Sequence, residues 1–168
     1  VIYASGSIVR GKGNDYNIGG SQYAEVIRKE RLDSSVKAIV VRVNSPGGDA
    51  IASDYIWREL NLTAREKPVV ISMGNLAASG GYWISTPATK IYANPTTVSG
   101  SIGVFGLLPN AGKLLNKKLG ITTETVNTNE NSDFPSVYRP MEIYEKEVMQ
   151  MTIEKIYSDF LDKVATGR

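Results

Sequence analysis

Residues 37–49, KAIVVRVNSPGGD, decide the fold. From Ala38 to Val43 the chain is apolar except at Arg42, and it is rich in β-branched residues. A nearly continuous apolar run closed by a turn is the pattern of a strand buried in a parallel sheet. The Ser-Pro-Gly-Gly turn ends it, and Asp49 is placed to cap a helix over 50–66. Ile51, Tyr55, Ile56 and Leu60 form the expected inward face of that helix. PVVISM (68–73) then repeats the buried-strand pattern.

Outward from this unit, strand and helix patterns alternate. VIYASGSIV (1–9) reads as a strand, GKGNDYNIGGS (11–21) as a glycine-rich loop, and 21–33 as a helix. Ser21 is its expected N-cap, with Tyr23, Val26 and Ile27 at helical spacing. On the carboxyl side, KIYANP (90–95) and SIGVFG (101–106) read as short strands. NAGKLLNKKLG (110–120) reads as a helix ending on a glycine, ITTETVN (121–127) as an alternating strand, and 127–140 as a polar loop. The last 28 residues are expected to form one long helix opened by Pro140. Met149, Ile153, Ile156, Phe160 and Val164 make its apolar stripe. The expected class is α/β, with a largely parallel sheet, flanking helices and a long C-terminal helix. No linker or repeat divides the sequence, so 1–168 is expected to be a single domain.

Composition narrows the chemistry. The chain has 168 residues, 42% of them hydrophobic, and a net charge of +2 from 19 basic and 17 acidic side chains. The charges are scattered, so nothing marks a nucleic-acid surface. There is no cysteine and no histidine, which removes disulfides, thiolate sites and the usual ligands of zinc. No cofactor and no metal are expected. No apolar run reaches the length of a membrane span. The chain opens on Val1 and closes on KVATGR, and it is expected to be a fragment or trimmed product that could have lost a signal or anchor segment.

GNLAASGGYWIS (74–85) directly follows the second buried strand. Small residues surround Ser79, which is expected at a helix start, where the dipole favours developing negative charge. Gly47-Gly48 occupies the corresponding turn of the preceding strand. Both turns lie at the carboxyl ends of parallel strands, where α/β proteins bind ligands. Acyl transfer needs a nucleophile and amide donors aimed at the developing oxyanion. Ser79, with the amides of Gly80 and Gly48, would supply them, although either glycine pair alone is equally compatible with a tight turn.

Three stretches, VRVNSPGGDAIASDYIWREL, KPVVISMGNLAASGGYWIS and KIYANPTTVSGSIGVFG, resemble in order and spacing the signal peptide peptidase A (protease IV) family. The resemblance covers roughly residues 1–165. It implies a Clp-peptidase/crotonase-like fold and a serine protease with a Ser/Lys dyad that degrades cleaved signal peptides at the membrane. On it, Ser79 is the nucleophile, Gly80 and Gly48 form the oxyanion hole, and Ser101 orients the lysine. It further implies a homo-oligomeric, ring-like assembly at the bacterial inner membrane, facing the periplasm or exterior.

One departure is specific. Short family members carry the lysine in the loop after the strand corresponding to 121–127, but 127–140 contains none. The chain thus resembles the carboxyl-terminal, nucleophile-bearing half of long members, whose lysine comes from the amino-terminal half. The isolated chain is therefore expected to be inactive. Within these residues Lys90 is the least unsuitable substitute; Lys113, Lys117 and Lys118 are expected on an exposed helix. Asp49 and Glu59 could act as bases only if buried, and they are expected instead to be a helix cap and a surface residue. Tyr82 and Trp83, with Gly47, are candidate walls of an apolar peptide cleft, and for the two aromatics the competing expectation is core packing. Two other functions fit parts of the pattern: a crotonase-like acyl-CoA enzyme, and a non-catalytic scaffold or peptide-binding repeat. A Ser-His-Asp peptidase is excluded, because the chain has no histidine.

Overall fold

The computed structural model describes residues 1–168 and divides into two compact units, Val1–Gly103 with Ser158–Arg168, and Val104–Tyr157. In the first unit, Gly6 turns the amino-terminal apolar run at a positive φ of 99°. The run therefore forms two strands, β1 (Ile2–Ser5) and β2 (Ser7–Val9). The expected loop at 11–21 contains a third, β3 (Asn17–Gly19), which pairs in parallel with β2.

Helix α1 (Gly20–Leu32) starts one residue before the expected cap: Gly19 is its N-cap and no side chain caps it. Of its expected apolar face, Ile27 is buried and Tyr23 half-buried, but Val26 is exposed. Strand β4 (Ile39–Ser45) is followed by α2 (Ala50–Ala64), and Asp49 accepts a hydrogen bond from Ala52 N at 2.9 Å, as a cap should. Strand β5 (Val69–Ala78) is five residues longer at its carboxyl end than the apolar run suggested, reaching Ser79 directly. The one-turn helix α3 (Gly80–Trp83) and strands β6 (Lys90–Tyr92) and β7 (Val98–Gly100) follow.

The main sheet has the order β1-β4-β5-β6, with β7 pairing the carboxyl half of β5, and every pairing is parallel. Ala4, Ile39, Val41, Val43, Val69, Ile71 and Met73 bury one face of it in a core shared with Ile27 of α1 and with Ala52, Ile56 and Leu60 of α2. Each large apolar side chain so buried contributes about 1.5–3 kcal/mol. The inward face of α2 differs from expectation. Ile51 and Tyr55 are exposed, and Ala52, Ser53, Ile56, Glu59, Leu60 and Thr63 are buried.

In the second unit, α4 (Gly112–Leu119) ends as expected on a left-handed glycine, Gly120 at φ 66°. The strands expected at 101–106 and 121–127 are absent: β7 lies just before the first, and the second has no regular structure. An alternating pattern forms a strand only beside a partner edge, and neither segment has one. Arg139 organises the polar loop, donating to both oxygens of Asp133 (2.7 and 2.9 Å) and to the buried Glu145. These hydrogen bonds hold both carboxyls below the ordinary carboxylate range. The final helix, α5 (Ile143–Gly167), begins in this unit and ends in the first. Within its expected stripe Phe160 is fully buried, and Met149, Ile153, Ile156 and Val164 are partly so.

Candidate functional site at the carboxyl ends of the strands

Small side chains let β4, β5 and β7 end close together. Ser79 follows β5 at φ 51° and ψ −120°, a conformation that costs an L-residue about 1–3 kcal/mol and is sustained only by its surroundings. Its amide donates to Gly100 O at 2.8 Å, fixing it to the end of β7. Its carbonyl accepts from Tyr82 N (2.9 Å) and Trp83 N (2.8 Å), the first bonds of α3. The side chain is left half-buried.

The Gly47-Gly48 turn packs directly on this residue. A Cβ on Gly47, whose φ is 97°, would lie 2.5 Å from Gly80 N and 2.8 Å from Ser79 Cβ. A Cβ on Gly80 would in turn lie 3.2 Å from Gly48 N and 2.5 Å from Ser53 Oγ. Only glycine lets the two turns approach this closely. Hydrogen bonds along the first turn run from Ile8 N to Gly47 O (2.8 Å) and from Asp49 N to Ile8 O (2.9 Å), which leaves the Gly48 amide between them unused. The Gly80 amide is likewise unused: the bonds around it involve the Ser79 and Gly80 carbonyls. Two unengaged amides thus adjoin one hydroxyl-bearing residue. Helix α3 spans only four residues, so these individual N–H groups, rather than a helix dipole, are what the site offers a negative charge.

Ser101 comes immediately after Gly100, at φ 54°, and is exposed. The structure therefore brings together Ser79, Gly80, Gly47, Gly48 and Ser101 from three neighbouring strand ends. It places the two aromatics in the packing: Tyr82 is half-buried against the core, and Trp83 is buried with its ring 4.7 Å from that of Phe160.

The candidate bases separate clearly. Asp49 is occupied as the cap of α2 and also accepts from Arg10 Nε at 2.8 Å. Glu59 is buried, not on the surface as expected, and is enclosed by Arg28, Arg31 and Arg58 at 2.8–3.5 Å. Lys90 starts β6 opposite Val70, nine residues before Ser79 on β5, or about 30 Å along an extended strand. Lys113, Lys117 and Lys118 are exposed on α4. What sequence reading missed is the set of contacts behind α3 (Trp57, Phe160, Lys163 and Arg168), because residues that far apart leave no local signal.

Fold and geometry together define a parallel α/β protein whose candidate site is a small-residue cluster at the carboxyl edge of its sheet. The chain belongs to peptidase family S49, whose model matches residues 61–168. It is 46% identical over 169 residues to Protease 4 of Salmonella typhi, covering all of this chain and 27% of that one. It is 39% identical over 173 residues to the chloroplastic serine protease SPPA of Arabidopsis thaliana, covering 100% of this chain and 25% of that one. The chain therefore spans about a quarter of the length of these curated relatives. Among solved structures, it is similar to a serine-to-alanine mutant of a membrane-bound stomatin-specific protease, at TM-score 0.47 and 21% identity, over 66% of this chain and 50% of the other.

Proposed function

We propose that this chain is the nucleophile-bearing part of a serine peptidase that works with a Ser/Lys pair. The observation that carries the reading is the strained Ser79, held by Gly100 O and flanked by the unused amides of Gly48 and Gly80. In this reading Ser79 Oγ attacks the carbonyl carbon of a peptide bond as a neutral lysine amine accepts its proton. The oxyanion receives hydrogen bonds from Gly48 N and Gly80 N, each worth about 3–4 kcal/mol in the barrier. The lysine returns the proton to the leaving amine, and water hydrolyses the acyl-enzyme through the same steps.

The lysine is supplied from outside these 168 residues. A lysine acts as a base only when burial lowers its pKa by several units. Lys113, Lys117 and Lys118 are exposed, and Lys90 is exposed and far along the sheet. Ser101, at the end of the strand beside Ser79, is the hydroxyl that would orient the incoming amine. The substrates are apolar peptides such as cleaved signal peptides, and the working form is an oligomer at the bacterial inner membrane, facing the periplasm or exterior. No helix of this chain is long and apolar enough to cross a membrane.

Replacing Ser79 by Ala in the full-length polypeptide tests this. Peptidase kcat should fall by about 10⁴-fold or more, and labelling by a fluorophosphonate probe should disappear. Undiminished turnover in Ser79→Ala would remove the nucleophile assignment. A wild-type protein that neither labels nor cleaves would be a scaffold instead.

A further inference from the structure

We propose that Lys163, near the end of α5, is a positioning residue for the Ser79 turn; the inference rests on the serine peptidase reading. A four-residue helix such as α3 cannot hold itself, because a single turn fixes several dihedrals for very few hydrogen bonds. Its geometry has to be imposed from outside. Trp83 is where that happens, since its amide bonds to Ser79 O at 2.8 Å and its side chain is buried.

The Trp83 indole is not anchored through its own polar atom: Nε1 is buried and has no acceptor. The ring is held by what packs on it. Phe160 lies at a centroid distance of 4.7 Å and an angle of 45°, and Lys163 Nζ stands 5.1 Å from the ring centroid. The same ammonium lies 4.1 Å from the centroid of Trp57 and 3.2 Å from Asp54 Oδ1, both on α2. Both tryptophans of the chain thus meet at one cation. Trp57 is itself fixed, its Nε1 donating to Thr86 Oγ1 at 2.9 Å. Arg168 closes the arrangement by donating to Thr86 O at 2.9 Å and to Ala88 O, just beyond α3.

An exposed ion pair would contribute little to such an arrangement. The Lys163 side chain, however, is only 16% exposed, and a cation shielded from water over an indole face interacts more strongly. It ties α2 to α3 from behind, on the helix whose last turns carry no candidate catalytic group. Lys163 touches neither substrate nor Ser79 in this scheme. It acts through Trp83 on the orientation of the Ser79 peptide unit.

The test uses the full-length polypeptide and measures fluorophosphonate labelling rate, kcat, KM and melting temperature. Lys163→Met keeps the stem and removes the charge. It should lower the labelling rate and kcat about three- to tenfold with KM within about twofold, and Lys163→Arg should restore most of the loss. A Lys163→Met protein that labels at the wild-type rate per folded molecule overturns the inference, even if it melts earlier, because the contact is then purely structural. Failure of Lys163→Arg to rescue overturns it equally. Should Lys163→Met not fold, Asp54→Asn decides: it leaves the buried packing intact, about twofold slower labelling is expected, and an unchanged rate overturns the inference. Labelling abolished by Ser79→Ala but indifferent to Lys163 sinks this inference alone. Labelling that survives Ser79→Ala sinks the reading beneath it.

Discussion

Ser79 combines two roles that oppose each other energetically. Its hydroxyl is what the proposed chemistry requires, but its φ of 51° with ψ of −120° suits glycine. Substitution separates the two. Ser79→Ala keeps the strain, whereas Ser79→Gly releases it at the cost of a more flexible unfolded chain. Both variants should be inactive, and Ser79→Gly should be about 1 kcal/mol more stable than Ser79→Ala in equilibrium denaturant unfolding. The opposite order would mean that the backbone at Ser79 is relaxed. The small residues around Ser79 were legible in the sequence as a turn built to present a hydroxyl. That Gly47 must lack a side chain so that Ser79 and Gly80 can sit against it was not, since 47 and 79 meet only in space.

Among the elements, α2 shows how a local pattern can mislead. Its sequence carries two overlapping apolar stripes, one through Ile51 and Tyr55 and another through Ala52, Ile56 and Leu60. Periodicity weighs them alike. Contact with α1 chooses between them: a Cβ on Gly20 would lie 2.7 Å from Ala52 Cβ, so the helices approach where both residues are small. That choice turns Glu59 inward, where Arg28, Arg31 and Arg58 surround it and Arg31 also reaches Glu66 at 3.1 Å. Removing a buried carboxylate strands its partners, although Glu66 still serves Arg31. Glu59→Ala should therefore destabilise the protein by about 2–4 kcal/mol, measured by denaturant unfolding, while the folded fraction still labels at Ser79. A change below 0.5 kcal/mol would show that the arginines are fully satisfied by solvent.

Over the whole molecule, the two compact units are held by different means. Residues 1–103 with 158–168 enclose the apolar core, whereas the loop in 104–157 is organised around Arg139, Asp133 and Glu145. Both carboxyls have folded pKa values below their unfolded ones, chiefly through hydrogen bonds from Arg139. Their contribution is complete above the unfolded value near 4 and is lost as pH falls through the lower folded values. Hydrogen exchange should therefore show residues 127–145 losing protection below about pH 4, before the sheet does. Arg139→Met should lower that protection already at pH 7 and flatten its dependence on acid. Protection that falls equally in both units, with or without Arg139, would contradict this.

The sequence by itself determined the parallel α/β class, the cap at Asp49, the left-handed end of α4 at Gly120 and the position of the Ser79 turn. Each depends on contacts or conformational preferences within a few residues, which local spacing records. Tertiary structure alone decided which stripe of α2 faces inward, where β7 pairs, that 101–106 and 121–127 form no strands, and that Glu59 is enclosed by arginines. It alone set the close packing of Gly47 on Ser79 and Gly80 and gathered Trp57, Trp83 and Lys163 into one cluster. These outcomes depend on which surfaces meet after the chain has folded back on itself, and residues brought together across tens of positions leave no periodic trace in the chain.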